Sequence, residues 1–156
     1  MVQNAIKHFD DLLSVDYKDM FEWTALHWAC KAGFLDIVKV LVEIGGANVN
    51  QLNSSHNTPL HIAAKNGFME ICKYLIEVVR EPKVDVLIKG LDNETAKDAA
   101  IDMGKNELGK YLAFHEKRME HWKNRNCLLK MYINKNNTTI FKGYTLGIFK
   151  EIIKYA

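Results

Sequence analysis

Thr58-Pro59-Leu60-His61-Ile62-Ala63 has a counterpart 34 residues earlier, Thr24-Ala25-Leu26-His27-Trp28-Ala29, and nine residues after each threonine stands a glycine, Gly67 and Gly33. The runs that follow also match in phase: Phe68-Met69-Glu70-Ile71-Cys72-Lys73-Tyr74-Leu75 against Phe34-Leu35-Asp36-Ile37-Val38-Lys39-Val40-Leu41. A third, weaker copy begins at Thr95-Ala96-Lys97-Asp98-Ala99-Ala100, at an offset of 37, with Gly104 nine residues on and then Glu107-Leu108-Gly109-Lys110-Tyr111-Leu112. The three added residues fall around 79–83, where a turn can absorb them. Self-similarity at such a period marks a stacked-repeat architecture, in which no unit buries its apolar face alone.

Each copy predicts two short helices. Thr58 is an N-cap, Pro59 sits at the first helical position, where its missing N–H costs nothing, and Gly67 ends the first helix. The second helix carries Phe68, Ile71, Cys72 and Leu75 at i, i+3, i+4, i+7. Both are too short to persist in isolation, so stacking on neighbours must hold them.

At these residues the chain resembles the ankyrin repeat, whose signature runs Thr-Pro-Leu-His-x-Ala-Ala, x-x-Gly, an Ile/Val-Val-x-x-Leu-Leu stretch, then Gly-Ala-x-Val-Asn. Gly46-Ala47-Asn48-Val49-Asn50 fits that closing turn, with Gly45 as one extra residue. The resemblance covers about residues 19–112. It implies an all-α solenoid of antiparallel helix pairs joined by short β-hairpin fingers, with a helical C-terminal extension. Repeats are expected at about 19–52, 53–89 and 90–114. Residues 2–13 fit a capping helix, with Val2, Ile6, Phe9, Leu12 and Leu13 on one face. The resemblance also implies that His27 and His61 bond locally to threonine and backbone rather than to a metal. In the third copy Lys97 and Asp98 replace the signature leucine and histidine, and Thr95-x-x-Asp98 can form a capping box suited to a terminal repeat.

The helical pattern continues past the third copy. Leu108, Leu112, His115, Met119, Trp122, Asn126, Leu129 and Ile133 follow a 4-3-4-3 spacing and predict one helix, or two nearly collinear ones, over residues 105–133. An Asn-rich loop over 134–139 then ends it, and Thr145 can cap a last short helix with Leu146, Phe149, Ile152 and Ile153 on one side. That helix is expected to fold back as a cap. Charge changes sign here: residues 1–114 hold 12 Lys/Arg and 16 Asp/Glu, whereas 115–156 hold 9 and 3. The chain therefore reads as a repeat domain, 1–114, and a basic helical extension, 115–156.

Composition narrows the function class. Of 156 residues, 48% are hydrophobic and 26% charged, the balance of a folded globular domain. No apolar run approaches the roughly 18–20 residues of a membrane span, and the N-terminus does not read as a secretory signal. Cys30, Cys72 and Cys127 are odd in number and widely spaced, which favours buried free thiols in a reducing compartment over disulfides or a zinc knuckle. Gly45-Gly46 lacks the Gly-Lys-Ser/Thr of a phosphate loop. Cys30 and His27 stand at i, i+3, yet Cys30 occupies a small-residue core position. No catalytic set, cofactor, metal or small-molecule substrate is expected.

The function expected is a protein–protein interaction module, an adaptor, scaffold or inhibitor acting as a cytoplasmic monomer, with the nucleus as the alternative compartment. The resemblance implies binding through the concave face of finger tips and first helices. By repeat phase that face comprises Lys18, Met20, Phe21, Trp23 and Lys31, then Leu52, Ser54, Ser55, Asn57, Lys65 and Asn66, then Lys89, Leu91, Asp92, Glu94, Asp102 and Met103. Met20, Phe21 and Trp23 stand out as large apolar groups, since aromatic anchors dominate interface energies; the competing reading of Trp23 is packing on a neighbouring finger. Two alternatives attach to the tail. Residues 141–155 are faintly similar to the F-box-like ends of some ankyrin proteins, which would make a ubiquitin-ligase adaptor. Lys123, Arg125, Lys130 and Lys135 with Trp122 and Tyr132 could instead touch nucleic acid, although no nucleic-acid motif accompanies them.

Overall fold

The computed structural model describes residues 14–79 and 83–135, with the side chains of Val78 and of 127–135 excepted. It shows three repeats of a helix pair. The first repeat holds α1 (Ala25–Ala32) and α2 (Leu35–Glu43), and the second holds α3 (Pro59–Asn66) and α4 (Met69–Lys73). The third holds α5 (Ala96–Asp102) and the long α6 (Asn106–Lys135). The first helices α1, α3 and α5 pack on one another in order, and α2 packs on α4. The chain divides after Lys117 into two compact units, three residues beyond the expected boundary, with α6 contributing to both.

The first helices start as their sequences require. Thr24, Thr58 and Thr95 are extended N-caps, and Gly33 and Gly67 end α1 and α3 at φ +80° and +81°. Gly33 is doubly constrained, because a Cβ there would stand 2.6 Å from the Phe68 ring of the next repeat. Leu26, Leu60, Ile71, Leu75 and Leu112 are fully buried between the helices, each contributing about 1.5–3 kcal/mol relative to exposure. The α4 helix continues as a π turn, Tyr74–Val78, in which the Val79 N–H donates to the Tyr74 carbonyl. The first repeat makes the equivalent bond, from the Gly45 N–H to the Val40 carbonyl.

The fingers are hairpins cut down to their turns. Each is closed by two backbone bonds: Asp19 N–H to the Trp23 carbonyl with Glu22 N–H back to Asp19, Asn53 N–H to Asn57 with His56 N–H back to Asn53, and Gly90 N–H to Glu94 with Asn93 N–H back to Gly90; no strand forms among the described residues. One backbone–backbone bond joins each finger to the next: Ser54 N–H donates to the Phe21 carbonyl and Leu91 N–H to Ser55. With so few residues per finger, a single interfinger bond leaves no ladder to propagate.

The signature histidines link the copies. His27 Nε2 lies 3.1 Å from the Asn57 carbonyl of the second finger, and His61 Nε2 lies 3.2 Å from the Glu94 carbonyl of the third. A carbonyl only accepts, so Nε2 carries the proton and Nδ1 is an acceptor. Nδ1 of His27 meets the Thr24 N–H at 3.2 Å and its hydroxyl at 2.9 Å; in His61 the Thr58 distances are 3.3 and 2.8 Å. Burial pushes both imidazoles below the usual histidine range, against the raising effect of those backbone bonds. In the third copy Asp98 Oδ2 accepts from the Thr95 N–H at 3.0 Å and hydroxyl at 2.9 Å, the capping box expected from the sequence. Those bonds from Thr95 hold the Asp98 carboxyl below the usual range.

Lys97, in the place of the signature leucine, reaches Glu116 of α6 at 3.0 Å and Asp98 at 3.2 Å. The Glu116 carboxylate holds the Lys97 ammonium above the usual lysine range, and Glu116 Oε1 is buried without a hydrogen bond among the described residues. The expected helix over 105–133 is present as the single helix α6, which runs slightly past the start of the expected loop. Leu108 and Leu112 are buried, whereas Trp122 is half-exposed. The capping helix expected over 2–13, the remainder of the loop and the last helix lie outside the described residues.

Two predictions follow from these contacts. Folding lowers the histidine pKa values, so the unfolded chain binds more protons below its reference of about 6.5, and stability must fall as pH drops from there through the folded values. Urea denaturation should give a lower unfolding free energy at pH 5.5 than at 7.5, by up to about 1.4 kcal/mol per pH unit per histidine. His61→Ala should cost about 1–3 kcal/mol at pH 7.5 and flatten that dependence; a stability independent of pH would contradict the buried neutral histidines. Separately, Lys97→Leu strands the Glu116 carboxylate and should destabilise by about 1–3 kcal/mol. Adding Glu116→Leu should return the melting temperature to the wild-type value or above it, because an apolar pair removes the desolvation cost.

Candidate functional site

The face built from fingers and first helices carries a cluster that begins with Asp19. Its Oδ1 accepts from the Phe21 N–H at 2.8 Å and the Trp23 N–H at 2.9 Å, which folds the first finger around it. Its Oδ2 accepts from Trp28 Nε1 at 3.0 Å, so one carboxylate ties finger to helix. Desolvation opposes ionisation of Asp19, but the bonds from Trp23, Trp28 and Phe21 outweigh it and hold the carboxyl below its usual range. In the second finger Asn53 repeats the role, with Oδ1 accepting from Ser55 N–H and Asn57 N–H.

The two tryptophan rings pack in a tilted contact, with centroids 4.8 Å apart and planes inclined by 41°. Trp23 also lies 5.8 Å from the His27 ring. The Lys31 ammonium stands over both indoles, 5.1 Å from Trp23 and 4.7 Å from Trp28. Beyond them Met20 is 89% exposed, Phe21 59% and Trp28 46%. Trp28 takes the variable position of the signature, where the second copy has buried Ile62. It was absent from the sequence-derived set, although its place one helical turn before Lys31 puts the two on one face.

The predicted residues divide by what holds them. Met20, Phe21, Lys31, Ser54, Ser55, Lys65, Asn66, Lys89, Leu91, Asp92, Asp102 and Met103 are exposed, and Lys18, Trp23, Leu52, Asn57 and Glu94 are half-buried. Lys18 braces two fingers, donating to the Leu52 carbonyl at 2.9 Å and to Glu22 at 3.0 Å. Asn57 and Glu94 offer their carbonyls to the signature histidines, and Asn66 Nδ2 bonds the Ile62 carbonyl. Trp23 packs on the His27 and Trp28 rings of α1 in its own repeat. Among the described residues no group of three His, Cys, Asp or Glu side chains is placed to hold a metal ion, and no helix is long and apolar enough to cross a membrane. Cys30 and Cys72 are buried thiols; burial pushes Cys72 up to about 12 and Cys30 higher still.

The indole pair should be coupled energetically. In a double-mutant cycle, Trp23→Ala and Trp28→Ala should show a stability coupling of about 0.5–1.5 kcal/mol, the range for aromatic pairs in contact; strictly additive losses would mean that the rings do not pack together in solution.

The family model for ankyrin repeats, three copies long, matches residues 1–89 and, overlapping, 46–127. No match was found among curated proteins.

Proposed function

The chain belongs to the ankyrin-repeat family, and from that premise we propose that it is an interaction module of the adaptor, scaffold or inhibitor kind, engaging a partner protein through its fingers and first helices. Ankyrin repeats generally mediate protein–protein interaction, and the family is typically non-enzymatic. One observation carries the assignment to this face: Met20, Phe21 and Trp28 are exposed together at one end of it, with half-buried Trp23 between them. None of the four takes part in the histidine bonds that join the copies, whereas the signature residues Leu26, His27, Leu60 and His61 are buried. Large aromatic and sulfur-containing side chains on a rigid surface are the groups that anchor interfaces. Burial of the Cys30 and Cys72 thiols supports a reducing, cytoplasmic setting.

Cross-linking locates the interface. A photo-reactive residue at Phe21 should capture the partner, whereas one at Lys39 on the outer helix α2 should not. With the partner in hand, Trp28→Ala and Trp23→Ala should each weaken binding by about 2 kcal/mol, roughly 30-fold. Unchanged affinity in both variants would move the interface elsewhere.

A further inference from the structure

The outer helices pair their lysines by rule. Lys39 meets Asp36, Lys73 meets Glu70 and Lys110 meets Glu107, each three residues apart and at the same place in its repeat. Two lysines of the first helices fall outside that rule. Lys31 and, one repeat on, Lys65 occupy equivalent exposed positions of α1 and α3, and neither has a carboxylate within ion-pair distance among the described residues. At the third equivalent position, 37 residues beyond Lys65, the sign reverses to Asp102. The repeat domain as a whole is acidic, 12 Lys/Arg against 16 Asp/Glu over residues 1–114, so the row Lys31–Lys65 is a local positive strip on a negative body.

Resting on the interface proposed above, we infer that this face takes a linear segment of a partner protein with a defined polarity: one bulky apolar side chain on the Trp23–Trp28 pair, acidic residues across Lys31 and Lys65, and a basic residue at Asp102. The apolar anchor follows from the exposed indole, Phe21 and Met20. The acidic run follows from two ammonium groups left for an external anion, one of them already stationed over the indoles. Stacking rings beside lysines could also suit single-stranded nucleic acid. Here Asp19 adjoins the rings, Asp92 is exposed on the third finger and Asp102 closes the row. A phosphate backbone would meet these carboxylates in succession, whereas a peptide places its charges one at a time.

The probes are synthetic twelve-residue peptides with one phenylalanine, a following run of glutamates and a terminal lysine, together with a glutamine version, a version with all charges inverted, and a ten-nucleotide oligo-thymidine. Binding to the full chain is read by indole fluorescence in a Trp122→Phe background, which leaves Trp23 and Trp28 as reporters. The glutamate peptide should bind at least tenfold tighter than the glutamine one, and Lys31→Glu with Lys65→Glu should reverse the preference toward the inverted peptide. Circular dichroism should confirm that these exposed substitutions leave the fold intact. Equal binding of glutamate and glutamine peptides, or no effect of the double charge reversal, would overturn the acidic segment while leaving the apolar interface standing. Tighter binding of oligo-thymidine than of any peptide would overturn it in favour of nucleic acid. No response to any probe, with partner cross-linking through Phe21 intact, sinks the inference alone; loss of that cross-link as well sinks the interface reading.

Discussion

The bond from a histidine Nε2 to the finger carbonyl of the following repeat is the constraint on which the stack depends. It works because a neutral imidazole has two unlike ends. One accepts from the threonine that caps its own helix, and the other donates across the repeat boundary. The local cap and the long-range contact are therefore made by one ring, and neither is fully satisfied without the other. Each ring thus links the start of its own helix to the finger of its successor, which is how nearest-neighbour coupling arises in a one-dimensional array. Asp98 shows the same logic at the end of the array: it keeps the accepting end and dispenses with the donor, since among the described residues no further finger follows.

Two other rows run in register with the first. In the loops between first and second copies and between second and third, the Asp16 carboxylate accepts from Asn48 N–H, and Asn50 Oδ1 accepts from Asp85 N–H. On the outer helices Tyr74 donates to Glu43 and Tyr111 to Glu77. Fingers, outer helices and loops are thus tied separately, at spacings of about one repeat. That distribution lets the fingers tolerate backbone strain. Glu22, His56 and Asn93 occupy the same place in successive fingers, all with φ between +55° and +60°. For residues with a Cβ this conformation costs on the order of 1 kcal/mol each. Asp19 and Asn53 offset part of it by accepting two backbone N–H groups apiece.

Helix positions, caps and core were legible in the sequence because they repeat. Thr58, Pro59 and Gly67 fix a start and a stop by local stereochemistry, and a match 34 residues away tests each assignment. The fingers were less legible. The resemblance implies hairpin fingers, and each is present as a turn closed by two backbone bonds, too short to form a strand among the described residues. The site was legible in part. Counting by phase found Phe21, Trp23 and Lys31 because they fall outside the signature. It passed over Trp28, which sits inside the signature and exposes nearly half its surface, and over Asp19, whose role depends on three simultaneous bonds. Of the residues it grouped on that face, Lys18 also braces two fingers, and Asn57 and Glu94 also lend their backbone carbonyls to the signature histidines. Repeat phase tells which face a residue occupies, and only coordinates tell whether its polar groups are already engaged.

That distinction explains why the candidate site is concentrated in the first repeat. In the second repeat the position of Trp28 is buried Ile62, and the position of Trp23 is Asn57, whose carbonyl is bound by His27. In the third the same positions hold buried Ala99 and Glu94, the latter bound through its carbonyl by His61. A finger that receives a histidine from the preceding repeat has its last carbonyl committed. The first finger receives none from the described residues, and among them its carbonyl at Trp23 is engaged by Asp19 of the same turn. Its side chain is a large indole packed on His27 and Trp28 of α1. The scaffold itself thus singles out one finger, by the direction in which its histidines point, as the place where a large side chain can be spent on recognition.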